Sequence, residues 1–500
     1  MKLVILGGGT AGWMTASAIA KRLGHLPIDL TLVESAAIGT VGVGEATLPH
    51  IRFFNEALGV DEREIMAATQ ATIKLGIEFC GWHREGSSYL HPFGDFGEDV
   101  GGVAFHHAWH RLKAEQAAKD VGSLFDYSLP VQLAAAHRFA LPNADPESIA
   151  STYGYAFQFD AGLYAAYLAT FAQQHGCKRV EGKVREVQRD GETGNVTALK
   201  LDDEMVVEGD FFIDCSGFRA LLIGQKGEVS FRDWSAFLPC DSALAVPCEC
   251  SGPPAPFTRA TARQAGWQWR IPLQHRTGNG HVFCSAAIDD EAALDILMRN
   301  LDGKPSGEPR RLSFTTGHRE KFWHRNVVAI GLSSGFLEPL ESTSIHLIQQ
   351  GILRFLDLFP WPQTFEIDRS DYNRLMTLEF ERIRDFLVLH YVANQREEPF
   401  WKQLRSAPWP DSLRDKVEAF RKRGLLPDYD IGVFLPASWL AVLVGQGILP
   451  ESSDPRLASV PPDDIARALS RFRNGVQEAV QSTPSHAEFL ARYCPAECIG

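Results

Sequence analysis

The sequence has no excess of basic residues. Its 49 lysines and arginines stand against 62 aspartates and glutamates, which gives a formal net charge of −13 at pH 7. Proteins that bind nucleic acid need a basic stripe that neutralises phosphates, and the sequence shows none. We therefore expect no nucleic-acid partner, and the same charge balance argues against binding to an anionic membrane surface.

Long apolar runs and paired cysteines are also missing. No run reaches the roughly 18 residues that a membrane helix requires. The chain begins a strand at Lys2–Leu6 and continues into glycines, so we expect neither a signal peptide nor a membrane span. The nine cysteines include no CxxC pair, and no Cys/His spacing suits zinc. These absences predict a protein of the reducing cytoplasm without a metal site.

The composition is otherwise that of an ordinary globular protein, with 45% hydrophobic and 22% charged residues. At 500 residues the chain is long enough for two or three packed units, and no internal repeat divides it. We expect a first module over residues 1–365 and a mostly helical region over residues 366–500. In the second region, Asp371 to about Ala393 carries an apolar stripe that predicts a helix facing the core.

The first 34 residues follow the order of a dinucleotide-binding unit: strand, GxGxxG loop, helix, strand and acid. The loop glycines Gly7, Gly9 and Gly12 allow a tight turn, a close approach of a pyrophosphate and close packing of helix on strand. The helix begins at Trp13, and its amino end would hold the negative charge. Glu34 ends the second strand 22 residues after Gly12, where the ribose-binding carboxylate belongs. We expect these five residues to bind the cofactor.

Two later segments bear on whether the cofactor is FAD or NAD. Phe211–Gly217 is an apolar strand that runs into a turn of small residues, and Asn326–Gly331 repeats the pattern. This order resembles the large FAD-binding fold of flavin monooxygenases and reductases. The resemblance implies an α/β fold of the Rossmann type, FAD as the cofactor, and Asp214 and Gly331 beside the flavin.

Further segments carry a more specific pattern. Gly266–Pro272 reads GWQWRIP, and Gly335–Ser344 reads GFLEPLESTS. Ile73–Phe79 alternates apolar and polar residues, with Lys74 followed by Gly76. These segments resemble the WxWxIP signature, the GFxEPLEST segment and the KxG spacing of the flavin-dependent tryptophan halogenases. With the FAD loops they cover most of residues 1 to 350.

The resemblance implies roles for individual residues. The family's essential lysine and catalytic glutamate fall on Lys74 and Glu341, and its halide contacts fall on Thr343 and Ser344. The family usually carries glycine where this chain has Ser344, so its halide geometry is open. The variant Ser-Thr-Ser-Ile-His resembles members that act on simple indoles rather than tryptophan. By alternation alone, Lys74 would lie on a solvated strand face.

Residues around the substrate and the flavin follow from the same resemblance. His91-Pro92-Phe93 resembles the segment whose histidine and phenylalanine sandwich the substrate indole, and stacking suits a flat apolar ring. Val41–Thr47 resembles the family's VGEAT loop, which places Gly44, Glu45 and Ala46 near the flavin. Leu340 lies in the segment that passes the flavin ring. We find no counterpart of the C-terminal groups that hold the amine and carboxylate of tryptophan.

The resemblance also implies a mechanism. FADH2 and O2 would form a flavin hydroperoxide, which oxidises chloride or bromide to hypohalous acid. Lys74 then delivers the electrophile, either as ammonium or as an amine that forms a haloamine, and the sequence leaves both open. Glu341 would polarise the electrophile or take the proton of the ring intermediate. In this mechanism the residues 1–365 bind FAD and catalyse, and 366–500 close the substrate site.

The expected partners are a small aromatic substrate, indole or a derivative, and a separate NAD(P)H flavin reductase; a homodimer is a possible assembly. A reductase is expected because the sequence contains one dinucleotide loop. The alternative is a flavin-dependent aromatic hydroxylase, which usually reduces its own flavin and carries a DG motif. The two Asp-Gly pairs, at Asp190 and Asp302, lack the surroundings of that motif. A non-catalytic flavin-binding protein is the third possibility.

Overall fold

The computed structural model describes residues 1–35, 44–115, 121–361, 363, 365–430 and 432–495. Val41, Gly42 and Val43 of the predicted flavin loop therefore lie outside the described residues. Within the described residues the chain forms 22 strands and 14 helices. None of these helices is both long enough and apolar enough to cross a membrane.

The strands follow one another along most of the first 336 residues. They are β1 (Lys2–Leu6), β2 (Asp29–Glu34), β3 (Gly44–Ala46), β4 (Thr72–Lys74), β5 (Gly76–Cys80), β6 (Ser88–Pro92), β7 (Ala156–Asp160), β8 (Lys178–Glu181), β9 (Val184–Arg189), β10 (Val196–Leu201), β11 (Val206–Glu208), β12 (Phe211–Asp214), β13 (Phe231–Asp233), β14 (Ser242–Cys248), β15 (Thr258–Arg263), β16 (Gly266–Pro272), β17 (Thr277–Phe283), β18 (Arg310–Ser313), β19 (Gly317–Arg319), β20 (Trp323–His324), β21 (Val327–Ala329) and β22 (Gly335–Phe336).

The helices alternate with the strands at first and dominate the C-terminal region. They are α1 (Thr10–Leu23), α2 (His50–Leu58), α3 (Glu62–Ala68), α4 (Phe105–Ala114), α5 (Leu129–Ala135), α6 (Ala161–Gln174), α7 (Asp290–Arg299), α8 (Thr343–Asp357), α9 (Glu366–Val392), α10 (Pro399–Ser406), α11 (Asp411–Arg423), α12 (Pro436–Gly445), α13 (Pro462–Ser482) and α14 (His486–Tyr493).

A six-stranded sheet in the order β20-β21-β12-β1-β2-β8 contains β1 and β2 of the strand–loop–helix–strand unit at the start of the chain. β12, β1, β2, β8 and β21 pair in parallel, so the carboxyl ends of β1, β12 and β21 meet at one edge. Leu6 is paired with Asp214, and Asp214 with Ala329, so the loops after these strands lie together. The α/β fold predicted from the order of these segments is confirmed.

The second large sheet has seven strands in the order β18-β14-β17-β16-β15-β5-β6, and a small sheet β3-β7-β4 lies beside it. The predicted continuous strand from Ile73 to Phe79 is wrong, because it breaks at Leu75 into β4 and β5 of different sheets. The Leu75 N–H donates to Pro256 O instead of continuing a ladder. A Cβ on Gly76 would lie 2.3 Å from His91 O, so only glycine lets β5 and β6 approach here.

The C-terminal helices close over this second sheet. The helix predicted from Asp371 to about Ala393 is confirmed as α9, which begins earlier, at Glu366, and its apolar stripe is buried, as at Met376, Phe380 and Leu387. One hydrophobic core extends from Leu3 to Cys494 and draws on both sides of residue 365. The division into a module of residues 1–365 and a region of residues 366–500 stays a prediction.

Candidate active site

The first loop is built for a close approach of another group to its backbone. Gly7 has φ +118°, and a Cβ there would lie 2.2 Å from Cys215 O in the loop after β12. A Cβ on Gly12 would lie 1.8 Å from Gly7 O. Gly9 caps α1 without any side-chain hydrogen bond, so the first N–H groups of the helix stay free for an anion. These features fit a dinucleotide pyrophosphate.

Trp13 and Glu34 complete this loop in different ways. The Trp13 N–H donates to Gly9 O, and its side chain is buried in the core, so its role as a cofactor contact stays a prediction. Glu34 lies where a ribose-binding acid is expected, because a Cβ on Gly8 would collide with its Oε2. Its other oxygen accepts a hydrogen bond from Arg179 Nε.

The loops after β12 and β21 meet the first loop. Gly331 has φ +79°, and a Cβ there would lie 2.7 Å from Ala11 Cβ at the start of α1. Asp214 is fully buried, and its Oδ2 accepts hydrogen bonds from the Leu222 and Ile223 N–H groups at 2.8 and 3.0 Å. The Asp214 carboxylate therefore holds its own loop, and its contact with a flavin stays a prediction.

Lys74 is fully buried at the end of β4, whereas alternation alone would place it on a solvated face. Its Nζ donates to Thr47 O at 3.0 Å and to Ser342 Oγ at 2.8 Å. It lies 5.1 Å from the centroid of the Phe93 ring, within the range of a cation–π contact. Burial lowers the pKa of Lys74 to about 7, although the charge of Glu341 acts in the opposite direction.

Ser342 adopts an unusual backbone conformation beside this lysine. Its φ is +59°, in the left-handed region that residues other than glycine rarely adopt, and it is buried. This conformation ends the short 3-10 turn Pro339–Glu341 and begins α8. A strained residue of this kind persists where the surroundings fix it, and the hydrogen bond from Lys74 is one such restraint.

Glu341 is fully buried between two histidines. His91 Nδ1, from β6, lies 2.8 Å from its Oε2, and His390 Nε2, from α9, lies 2.9 Å from its Oε1. Burial alone would raise the pKa of the carboxyl, but the two imidazoles lower it to about 2. Glu341 is therefore ionised at any ordinary pH.

An aromatic cluster adjoins this carboxylate. The His91 ring lies 5.5 Å from Phe386 and 6.2 Å from Phe434, and Phe386 and Phe434 stack on each other with centroids 3.8 Å apart. Phe93 follows β6 and faces Lys74. Lys74, Glu341, His91 and Phe93, which the sequence predicted as one site, are thus brought together.

Thr343 and Ser344 form the first turn of α8, whose amino end carries unpaired N–H groups and a partial positive charge. Thr343 is fully buried, and its Oγ1 has no hydrogen-bond partner among the described residues. Ser344 lies inside the helix and has no positive φ, so the missing glycine does not strain the backbone here. This end of α8 is suited to a small anion.

Comparison with known proteins agrees with this geometry. A sequence profile described as tryptophan halogenase matches residues 2–462. The chain belongs to the tryptophan halogenase family. The tryptophan 6-halogenase SttH from Streptomyces toxytricini is 36% identical over 98% of this chain and 98% of its own length.

Solved structures of tryptophan halogenase relatives match nearly the whole chain. A flavin-dependent halogenase from a Brevundimonas species is 47% identical, with a TM-score of 0.94 over 98% of this chain and 99% of its own. One from Xanthomonas campestris is 46% identical, with a TM-score of 0.95 over 99% of both chains. The protein is an enzyme, a flavin-dependent halogenase of the oxidoreductase class.

The remaining predicted residues of this halogenase lie in β3 and next to Glu341 in the chain. Gly44, Glu45 and Ala46 form β3, which pairs with β7, and a Cβ on Gly44 would touch Ile271 of the WxWxIP strand β16. Burial raises the pKa of the Glu45 carboxyl to about 7. Leu340 is buried one residue before Glu341. The flavin contacts of these four residues stay predictions.

Three parts of this site were not predicted from the sequence. Ser342 lies inside a segment that was recognised, so its position next to Glu341 was a usable signal. Thr47 contributes a backbone oxygen, which no sequence pattern reveals. His390 lies 49 residues after Glu341, and the one signal was a histidine within the otherwise apolar run Phe386–Val392.

Proposed function

We propose that this enzyme halogenates an indole-type aromatic ring by electrophilic substitution, using chloride or bromide, O2 and FADH2 from a separate NAD(P)H flavin reductase. The observation that carries the proposal is the buried lysine Lys74, held beside the ionised carboxylate of Glu341 at the edge of an aromatic cluster. Reduced FAD, when bound, would supply two electrons to O2, and halide would supply the other two as it is oxidised to hypohalous acid. Gly7, Gly9, Gly12 and Gly331 would hold the FAD.

Lys74 has one position left for the electrophile. As an amine it has two N–H groups, which donate hydrogen bonds to the Thr47 carbonyl and to Ser342 Oγ. The lone pair of the nitrogen then remains free to attack the halogen of hypohalous acid and form a haloamine. As an ammonium it has a third N–H that hydrogen-bonds hypohalous acid. Its pKa of about 7 makes both forms accessible at neutral pH, so the same geometry supports either route.

Glu341 accepts the proton that leaves the ring. In the substitution the ring gains a carbon–halogen bond and its carbon–hydrogen bond breaks, while the oxygen of the hypohalous acid takes a proton from Lys74 and leaves as water. The arenium intermediate is a strong acid, so a carboxylate with a pKa of about 2 is basic enough to take this proton. The negative charge of Glu341 also stabilises the positive ring intermediate in a buried site.

The amino end of α8 would bind the halide. The free N–H groups of Thr343 and Ser344 carry the partial positive charge that an anion needs, and the unpaired Thr343 hydroxyl is a further donor. The site's chemistry does not distinguish chloride from bromide. We expect bromide to serve at least as well, because it is the easier halide to oxidise.

The substrate is proposed to be a free indole rather than tryptophan. The rings of His91, Phe386 and Phe434 lie together near Glu341, and the Phe93 ring lies beside Lys74; aromatic surfaces of this kind suit a flat apolar ring. Without a grip on an amino acid, intrinsic reactivity decides the position, and C3 is the most electron-rich carbon of indole. We therefore expect C3 halogenation.

The test supplies the pure protein with FAD, NADH, a flavin reductase, halide and an equal mixture of indole and tryptophan. We expect halogenated indole as the main product, assigned at C3 by NMR, and no NADH consumption without the reductase. Efficient halogenation of tryptophan at a benzene-ring carbon would contradict the substrate proposal. Hydroxylated products without halogen would instead favour the hydroxylase alternative.

Two variants and a control connect this reaction to the site. Lys74→Met should abolish halogenated product while O2 is still consumed, because the lysine acts after the oxidation of halide. Glu341→Gln should slow halogenation about 100- to 10,000-fold. Lys178→Met changes an exposed lysine paired with Asp29 and should leave the rate unchanged. Unaltered halogenation by Lys74→Met would contradict the assignment.

A further inference from the structure

A cleft of about 290 Å³ lies on one face of the seven-stranded sheet. Four arginines line it: Arg259 and Arg263 from β15, Arg270 from β16, and Arg299 from the end of α7. Side chains alternate along a strand, so Arg270 points to the opposite side of the sheet from its buried neighbour Trp269. None of the residues that line the cleft belongs to the proposed flavin, halide or substrate sites.

The placement of these arginines is electrostatically unfavourable. Arg259 and Arg270 lie directly opposite each other in the antiparallel pair of β15 and β16. Like charges at directly opposed positions destabilise a sheet. The chain carries a net charge of −13, so its overall composition does not account for four arginines in one cleft. An anion bound between them would relieve the repulsion.

Three of the four arginines have a carboxylate partner. Arg259 Nε lies 2.6 Å from Glu78 Oε2, Arg270 is paired with Asp302, and Arg299 Nε donates to Asp295 Oδ1 at 2.7 Å. Of these three acids, Asp302 alone lines the cleft. The walls of the cleft therefore carry more positive than negative charge.

Arg263 is the arginine that forms no ion pair with the described residues. Its Nε and one terminal nitrogen both donate to Gln268 Oε1, at 3.0 and 2.7 Å, and an amide oxygen offsets no charge. Burial lowers the pKa of Arg263. Burial also acts to lower the pKa of Arg259, but Glu78 outweighs it and the pKa is raised. Arg263 thus presents a half-buried positive charge that a bound anion would neutralise.

We propose that this cleft binds inorganic phosphate or pyrophosphate, with Arg263 as the main contact. A phosphate group presents oxygens on several sides of one centre, so guanidinium groups from different strands can donate to it at once. A carboxylate presents only two oxygens, in one plane, and a single charge.

The size and lining of the cleft favour the inorganic anion over a nucleotide. Its volume of about 290 Å³ lies at the lower end of the range for small-molecule sites, roughly 300 to 1,000 Å³. Among the described residues, no aromatic side chain lines the cleft to stack on a base. The phosphate itself is therefore what the cleft recognises.

The test is a calorimetric titration of the FAD-saturated enzyme with inorganic pyrophosphate, at fixed ionic strength and fixed bromide concentration. Excess FAD occupies the pyrophosphate position of the first loop, and bromide occupies the amino end of α8, so neither site takes up the titrant. We expect one saturable site per chain. Because the anion binds the folded protein, Tm should also rise with pyrophosphate concentration.

Three variants assign the binding to the cleft. Arg263→Gln should weaken it roughly 10- to 100-fold, because the charge and its hydrogen bonds are lost. Arg263→Lys keeps the charge but not the planar fork of donors, and should weaken it less. The matched control is Arg185→Gln, which removes an exposed arginine of β9 paired with Glu204 and should bind as the wild type does. If Arg263→Gln does not fold, Arg263→Lys carries the same comparison.

Each outcome decides the inference. It is overturned if the FAD-saturated wild type shows no saturable binding of pyrophosphate, or if Arg263→Gln and Arg185→Gln bind it equally well. Citrate carries a similar charge on carboxylates alone, and an affinity for citrate equal to that for pyrophosphate would reject phosphate as the ligand. ADP that binds more tightly than pyrophosphate would reject the inorganic anion. Pyrophosphate binding that only the Arg263 variants weaken would support the proposal.

Discussion

Lys74 shows what a buried cation costs. The protein surrounds it with a carbonyl, a hydroxyl and an aromatic face instead of a carboxylate in direct contact. Lowering its pKa from 10.5 to about 7 corresponds to roughly 5 kcal/mol of free energy that disfavours the folded state at pH 7. The protein therefore keeps a destabilising residue at the position where the proposed reaction would use a lysine of variable charge.

Replacing this lysine should raise the free energy of unfolding. Lys74→Met removes the charge and keeps the volume, so we expect stabilisation by a few kcal/mol at pH 7, together with the loss of halogenation. The gain should shrink as pH rises from 7 towards 10.5, where the unfolded chain also loses its proton. Urea unfolding at pH 7 and about pH 9.5 measures this. A destabilised Lys74→Met would contradict it, and Lys178→Met should change little.

At the scale of elements, the cofactor loop depends on one turn. Gly7 combines a positive φ with a backbone oxygen at the place where a Cβ would be, so it joins β1 to the loop after β12. Gly176, after α6, has φ +94° but nothing within 4 Å of its Cβ position. An alanine at either glycine would strain the backbone, but only an alanine at Gly7 would also collide with another atom, so comparing the two substitutions separates the two effects.

We expect Gly7→Ala to weaken FAD binding at least about 10-fold, since the loop must move away from the pyrophosphate. Gly176→Ala should cost roughly 1–2 kcal/mol through strain alone and leave FAD affinity intact. Fluorescence titration with FAD and urea unfolding of both variants measure the two effects. Equal losses of FAD affinity in the two variants would show that collision at Gly7 is not the cause.

The elements also show what the sequence could predict. β1, α1 and β2 could be predicted from local patterns, because the strand, glycine loop, helix, second strand and acid of a GxGxxG unit all lie within about 30 residues of one another. The break at Leu75 does not, since its backbone is satisfied by Pro256, far along the chain. The burial of Lys74 and its contact with Ser342 depend on the same long-range packing. Family resemblance therefore pointed to Lys74, whereas the alternation of the strand predicted an exposed position for it.

Across the whole molecule, several histidines are buried in the neutral form. Burial lowers the pKa of His106, His281, His318 and His486 to about 4. His486 shows the geometry: its Nδ1 donates to Pro254 O, and its Nε2 accepts the Ile73 N–H at 3.2 Å. A protonated His486 would lose the second bond.

Acid should therefore destabilise the enzyme in a predictable range. These histidines have lower pKa values in the folded than in the unfolded protein. The free energy of unfolding is therefore undiminished by them above about pH 6.5 and falls progressively towards pH 4. For His486 the loss approaches roughly 3 kcal/mol. Urea unfolding at about pH 8 and pH 4.5 should show a smaller loss for His486→Gln, which does not titrate. His25→Gln, at an exposed histidine, should behave as the wild type does.

The bond between His486 and Ile73 has a mechanical consequence. Ile73 immediately precedes Lys74, so the helix α14 binds the strand that carries Lys74. A pull on α14, from a bead, a fused protein or a surface to which the enzyme is tethered, is transmitted through this hydrogen bond to the lysine. Tethering through β1, at the other end of the chain, leaves that strand unloaded.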